Sequence, residues 1–232
     1  MQDPVPSFIQ RFLSSLPADG GAQGASFEWT ERDTRELVGR ESQAFTSFMR
    51  LGAHSSHGMG ILRFLLPGTK PSLTGWGRAV AGAVPHVWRD DWPAVARGVV
   101  VATDWMGRLF FLASDFALED GEPCVGRLDP MAAEHSVLEI GFEQFVGAVL
   151  VDEWRALLDA DAYDDWRALN ARSLGFQECV VPVPPLFLGG SMTIGKTMVL
   201  DVEVATSIGG QAWTQAKDLP PGTRVSGFKF EK

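Results

Sequence analysis

Apolar positions recur along the chain with two different periods. Phe8, Phe12 and Leu16 stand at i, i+4 and i+8, the spacing of one helix face, so residues 5–16 predict a short amphipathic helix. Residues 17–25, opening Pro17-Ala18-Asp19-Gly20-Gly21, read as a loop. Helical spacing returns from Thr30 to Arg50, with Leu37, Phe45, Phe48 and Met49 apolar and Thr30 or Thr34 as cap. Met59–Leu66 then reads as a strand stopped by Pro67-Gly68. Ser72–Val87 predicts a helix carrying Trp76, Val80 and Val84, ended or kinked at Pro85.

The clearest strands are Gly98–Thr103 and Arg108–Ser114, joined by the turn Asp104-Trp105-Met106-Gly107, where glycine supplies a positive φ. Val125–Leu128 and Val137–Ile140 are weaker strand patterns. Phe142–Leu158 predicts a helix with Phe142, Phe145, Val146, Val149, Leu150 and Trp154 on one side, and Asp161–Ala171 a second, acidic helix. Val180–Leu188 is broken by Pro182, Pro184 and Pro185, which suits an edge or bulged segment. Val202–Lys217 reads as helical despite Gly209-Gly210, and Arg224–Phe230 alternates like a last strand. Strands and helices are interspersed without a βαβ beat. That predicts an α+β fold, one domain with a mostly antiparallel sheet flanked by helices. Residues 1–50 are expected as a helical extension packed on a main domain of residues 51–232.

Composition narrows the class. The 232 residues are 45% hydrophobic and 21% charged, a globular balance with enough chain for a core that needs no staples. Two cysteines, Cys124 and Cys179, form no framework and no metal-ligand spacing, although one bridge between them is compatible with the sequence. The start Met1-Gln2-Asp3-Pro4 lacks the basic and apolar regions of a signal peptide. Apolar runs such as Gly98–Ala102 are far short of the ~20 residues a bilayer needs. The expectation is a cytoplasmic protein with no membrane partner. A net charge of −9 argues against direct nucleic-acid binding, which depends on Lys and Arg neutralising phosphates. It suits a basic protein partner, or simple solubility.

One motif matches in letters and not in context. Gly190-Ser191-Met192-Thr193-Ile194-Gly195-Lys196-Thr197 spells a P-loop, whose backbone N–H groups, lysine and threonine would hold phosphates and magnesium. A P-loop opens a helix, whereas Met198-Val199-Leu200 look extended, and too little chain follows for an NTPase sheet. A small-ligand or nucleotide-binding regulatory domain using Gly189–Thr197 stands as the alternative function. His54 and His57 are a spaced pair in a loop without a third ligand nearby, and Ser55 and Ser56 lack a nucleophile elbow. Neither cysteine has a basic neighbour to lower its pKa. No cofactor, metal or catalytic set is expected. Asp152, Glu153, Asp159, Asp161, Asp164 and Asp165 crowd one segment against Arg155. They read either as the solvated face of two helices or as a landing surface for a basic protein.

Three stretches, in order, resemble a known family. They are Ala102-Thr103-Asp104-Trp105-Met106-Gly107-Arg108-Leu109-Phe110, then Leu128-Asp129-Pro130 through Leu138-Glu139-Ile140-Gly141-Phe142-Glu143-Gln144-Phe145, and last Val183-Pro184-Pro185-Leu186-Phe187-Leu188-Gly189-Gly190. The third continues through Leu200-Asp201-Val202-Glu203-Val204 and Gly210-Gln211 to Leu219-Pro220-Pro221-Gly222-Thr223. Together these are similar to the C-terminal domain of type VI secretion immunity proteins, in the style of the SUKH immunity superfamily. The chain departs from that pattern at Thr197-Met198-Val199 and at Ala205-Thr206. The resemblance implies a non-enzymatic cytoplasmic protein that binds a cognate toxin effector and occludes its active site. A toxin with a basic cleft, such as a nuclease, would suit the acidic segment, whose six carboxylates are the candidate partner-binding residues.

Overall fold

The computed structural model describes residues 5–19, 29–52, 55–64, 88, 91–92, 95, 98–193, 195–220, 222–223, 225 and 227–229. Helix α1 (Ser7–Ser15) buries Phe8, Ile9 and Phe12, the face read from the sequence. The single helix expected over Thr30–Arg50 is two. Helix α2 (Glu31–Val38) opens with a capping box, in which Thr30 Oγ1 accepts from the Asp33 N–H and Asp33 accepts from the Thr30 N–H. Gly39, at φ 76°, closes it in the left-handed region. Ser42 then restarts the chain: its hydroxyl accepts from the Phe45 N–H at 3.1 Å and opens α3 (Gln43–Gly52). Periodicity alone does not register a break that two caps impose.

Six strands follow in chain order as an antiparallel meander: β1 (Ser55–His57), β2 (Leu62–Phe64), β3 (Val99–Asp104), β4 (Leu109–Ala117), β5 (Pro123–Asp129) and β6 (Glu134–Gly141). Ser55–His57 is thus a strand rather than a loop. The strand expected at Met59–Leu66 is shorter, because Met59 (φ 62°) and Gly60 (φ 93°) form the turn before β2. The β3–β4 hairpin is as expected, with Gly107 at φ 76° donating its N–H to the Asp104 carbonyl at 3.1 Å. The helix expected at Ser72–Val87 lies outside the described residues.

Strand β4 shows why the sheet sits mid-molecule. Phe110 and Leu112 point to one face, and Leu109, Phe111 and Ala113 to the other; all five are fully buried. Period-two alternation that is apolar on both faces needs cover on both. On the first face Phe8, Phe12, Phe45, Phe48 and Phe142 join Phe64 and Phe110 in one core, so α1 and α3 belong to the same apolar mass as the sheet. On the second face Trp88, Met131, Val181, Val202 and Ala205 cover β4 and β5.

After β6 the expected Phe142–Leu158 helix is interrupted. Phe142–Gln144, a π-helical turn Phe145–Val149, and Leu150–Asp152 run on as α4; α5 (Trp154–Leu157) and α6 (Ala160–Asn170) follow. Gly147 explains the close seat of α1 on this turn, since a Cβ there would lie 2.6 Å from the Phe8 Cβ. The chain closes with β7 (Glu178–Pro182), a 3-10 turn Leu186–Leu188, β8 (Thr197–Asp201) and α7 (Val202–Ala216). β7 and β8 make a separate antiparallel pair. The described positions of Arg224–Phe230 carry no strand; instead the Gln215 side chain donates to the Lys229 carbonyl and accepts from its N–H.

Candidate functional site

The acidic segment is held by the β3–β4 turn. Asp104 is fully buried. Its Oδ1 accepts from the N–H groups of Met106 (2.9 Å) and Arg108 (3.0 Å), and its Oδ2 accepts from Arg108 Nε. The same guanidinium donates to Asp159 Oδ2 at 2.8 Å and to the Leu157 carbonyl at 2.9 Å. Trp105 Nε1 donates to the Leu158 carbonyl at 2.6 Å. These donors take carbonyls that a continuous helix would use, and Asp159, at φ 51°, turns the chain between α5 and α6. Burial works against the Arg108 charge, but Asp104 and Asp159 outweigh it and hold its pKa above the ordinary arginine value.

Arg63 completes this interior. It is fully buried and donates to the carbonyls of Gly175, Glu178 and Asp104, tying β2 to the hairpin and to β7. Burial lowers its pKa, with Cys179 and Asp104 opposing. The sequence reading passed over Arg63 and Asp104 as functional residues. The available signal was the Asp-Trp-Met-Gly-Arg run, in which an aspartate and an arginine four apart flank a tight glycine turn. The Arg63 Nε is buried with no hydrogen-bond partner among the described residues, while the other hydrogen bonds of this hub tie parts of the fold together.

Outside the hub lie the six candidate contact residues, all exposed. Asp159 is drawn to Arg108. Asp161 and Asp164 converge on Arg155, at 2.5 and 3.2 Å, and those hydrogen bonds raise the Arg155 pKa. Arg155 also lies 5.2 Å from the centre of the Trp154 ring. Asp152, Glu153 and Asp165 form no ion pair among the described residues. Half of the set is therefore partly neutralised by arginines, and half is solvated charge available to a partner.

His57 is buried; its Nδ1 donates to the Leu16 carbonyl (3.0 Å), which leaves Nε2 to accept from the Ser55 hydroxyl (2.9 Å). Burial holds its pKa below the ordinary histidine value. His54 lies outside the described residues, and no group of three metal-ligating side chains occurs among those described. Cys124 and Cys179 are both buried free thiols, and burial pushes Cys179 up to about 12. In the P-loop-like string, Thr197 begins strand β8, so the loop opens a strand and not a helix. A half-open cleft of about 570 Å³ lies between Phe187, Leu188, Trp213 and Phe228. Its lysine, Lys217, is already held by Asp91 at 2.7 Å. No helix is long and apolar enough to cross a membrane among the described residues.

Neither the family models nor the curated proteins give a match to this chain. Among solved structures it is similar to the crystal structure of Atu4351 from Agrobacterium tumefaciens, at 15% identity and a TM-score of 0.61, with 88% of each chain covered. At that identity the likeness establishes a shared fold, an α+β body built on an antiparallel sheet.

Proposed function

We propose that this chain is an immunity protein: it binds a cognate antibacterial toxin effector in the cytoplasm of the producing cell and occludes the toxin's active site, with no reaction of its own. The observation that carries the reading is the exposed carboxylate segment from Asp152 to Asp165, set on a turn locked from inside by Asp104 and Arg108. A rigidly mounted acidic surface suits a toxin with a basic cleft, because opposite charge steers encounter and fixes orientation. The ordered resemblance to type VI secretion immunity proteins supports the same reading.

The test is co-expression with the product of the neighbouring reading frame. Growth arrest by that product alone, relieved when this chain is present, is the expected result; arrest that persists with both proteins soluble rejects the pairing. Charge reversal at Asp152, Glu153 and Asp165 should weaken capture more than reversal at Asp161 and Asp164, which already share Arg155. Capture should also weaken with rising salt. Binding unchanged by all five reversals removes the acidic surface from the mechanism.

A further inference from the structure

The two sheets have four edges among the described residues, and three of them are protected. β1 is three residues long and is bridged by Ala18, whose neighbour Asp19 donates its N–H to the Ser56 carbonyl at 2.8 Å. β6 slips register against β5 between Cys124 and Gly126 and carries Glu139 at φ 53°. The outer edge of β7 is taken by the hairpin turn, with the Val180 N–H donating to the Trp105 carbonyl at 2.7 Å. Short strands, bulges and covering loops are the usual ways a sheet avoids pairing with another chain. β8 uses none of them. It runs in unbroken register from Thr197 opposite Pro182 to Asp201 opposite Glu178.

The Val180–Trp105 bond also settles which way β8 presents its backbone. Opposed residues in an antiparallel ladder either exchange both hydrogen bonds or turn both sets outward, alternately. Val180 turns outward, so Val199, its partner, does too. Two residues along on either side, Thr197 and Asp201 follow the same sense. The N–H groups of these three residues, with the Thr197 and Val199 carbonyls, face the open edge. No group among the described residues takes them. Thr197-Met198-Val199-Leu200 carries no charge, and Met198 is 46% exposed.

We infer that this edge pairs with the same edge of a second copy, antiparallel about a two-fold axis through Val199. The run is complementary to itself when reversed. Val199 meets Val199 as a bonded pair, Thr197 meets Asp201, and Met198 packs against Leu200. No like charges are opposed, since Thr197 faces Asp201 and the other three residues of the seam are apolar. The result is one continuous four-stranded sheet, β7-β8-β8-β7. A symmetric contact needs only this one patch. One strand pair buries little area, so the association is weak and concentration-dependent.

Sedimentation velocity on the whole chain, over roughly a hundredfold range of concentration reaching the weak-binding regime, tests this. The weight-average mass should climb from the 25.2 kDa of one chain towards twice that value. Val199→Pro removes the central outward N–H without taking a bond from β7, and it should stay monomeric. Should that proline unfold the chain, the opposed pair Thr197 and Asp201, whose side chains share one face, decides. Thr197→Asp sets like charges opposite each other and should weaken association at least several-fold, and adding Asp201→Lys to it should restore association. A wild-type chain that remains monomeric throughout overturns the inference. So does a folded Val199→Pro that associates as the wild type does, or a double variant that associates no better than Thr197→Asp. Protection of the Val199 amide from exchange only when a foreign protein is added would assign the edge to that partner's strand instead.

Discussion

Removing the Asp104 carboxylate is the sharpest test of how the fold carries its acidic segment. In Asp104→Ala the N–H groups of Met106 and Arg108 lose their shared acceptor, and Arg108 loses the partner of its Nε. The Arg108 side chain is only 7% exposed, so water cannot replace what is lost. Asp159 remains, but it is half-exposed and bonds a different nitrogen. Breaking a buried ion pair from one side costs about 3–5 kcal/mol, a large share of the roughly 5–15 kcal/mol that holds a domain together. For a chain of this size each kcal/mol moves the midpoint by about 2–4 °C, so the melting temperature should fall by roughly 10 °C. The assay is urea and thermal unfolding by circular dichroism, combined with a double-mutant cycle. Arg108→Met should be costly by itself, whereas Asp104→Ala with Arg108→Met should cost less than the sum by about 1–3 kcal/mol, because the stranded charge is gone. A single-variant cost below about 1 kcal/mol, or strict additivity, would refute the claim that this turn is clamped by a buried charge pair.

Two further outcomes follow from other parts of the core. His57 is buried and neutral, with its pKa below the ordinary 6.5 chiefly through burial; the unfolded chain binds its proton first as pH falls. The His57 contribution is thus complete above about 6.5 and is lost as pH drops towards the lowered folded value, and His57→Gln should flatten that slope of unfolding free energy against pH. Gly126→Ala should cost about 1–3 kcal/mol through overpacking, since its Cβ would lie 2.3 Å from Cζ of the fully buried Phe111; a chemical-denaturation midpoint equal to wild type would contradict it.

Local chemistry made part of this molecule legible. Phe8, Phe12 and Leu16 reported a helix face, and Gly107 reported the β3–β4 turn, because each needs only neighbours close in sequence. The Thr30–Arg50 helix was misread as one element because Gly39 and Ser42 act through cap geometry that leaves the apolar period intact. The acidic segment was visible as composition. Its division into arginine-bound and solvated carboxylates was not, since Arg108 reaches Asp159 across 51 positions of sequence.

The sequence by itself determined the α+β class, the alternating strands around the hairpin, the acidic balance and the mismatch of the phosphate-loop string with its context. Each follows from periodicity, turn chemistry or charge, which are properties of short windows and sums. Only the tertiary structure decided that Asp104, Arg108 and Arg63 form one buried clamp, that His57 is sealed as a neutral ring, and that the outward backbone groups of β8 are not taken by any group among the described residues. These depend on which distant groups share a low-dielectric interior, and on which backbone groups are left over once every other strand has found its cover.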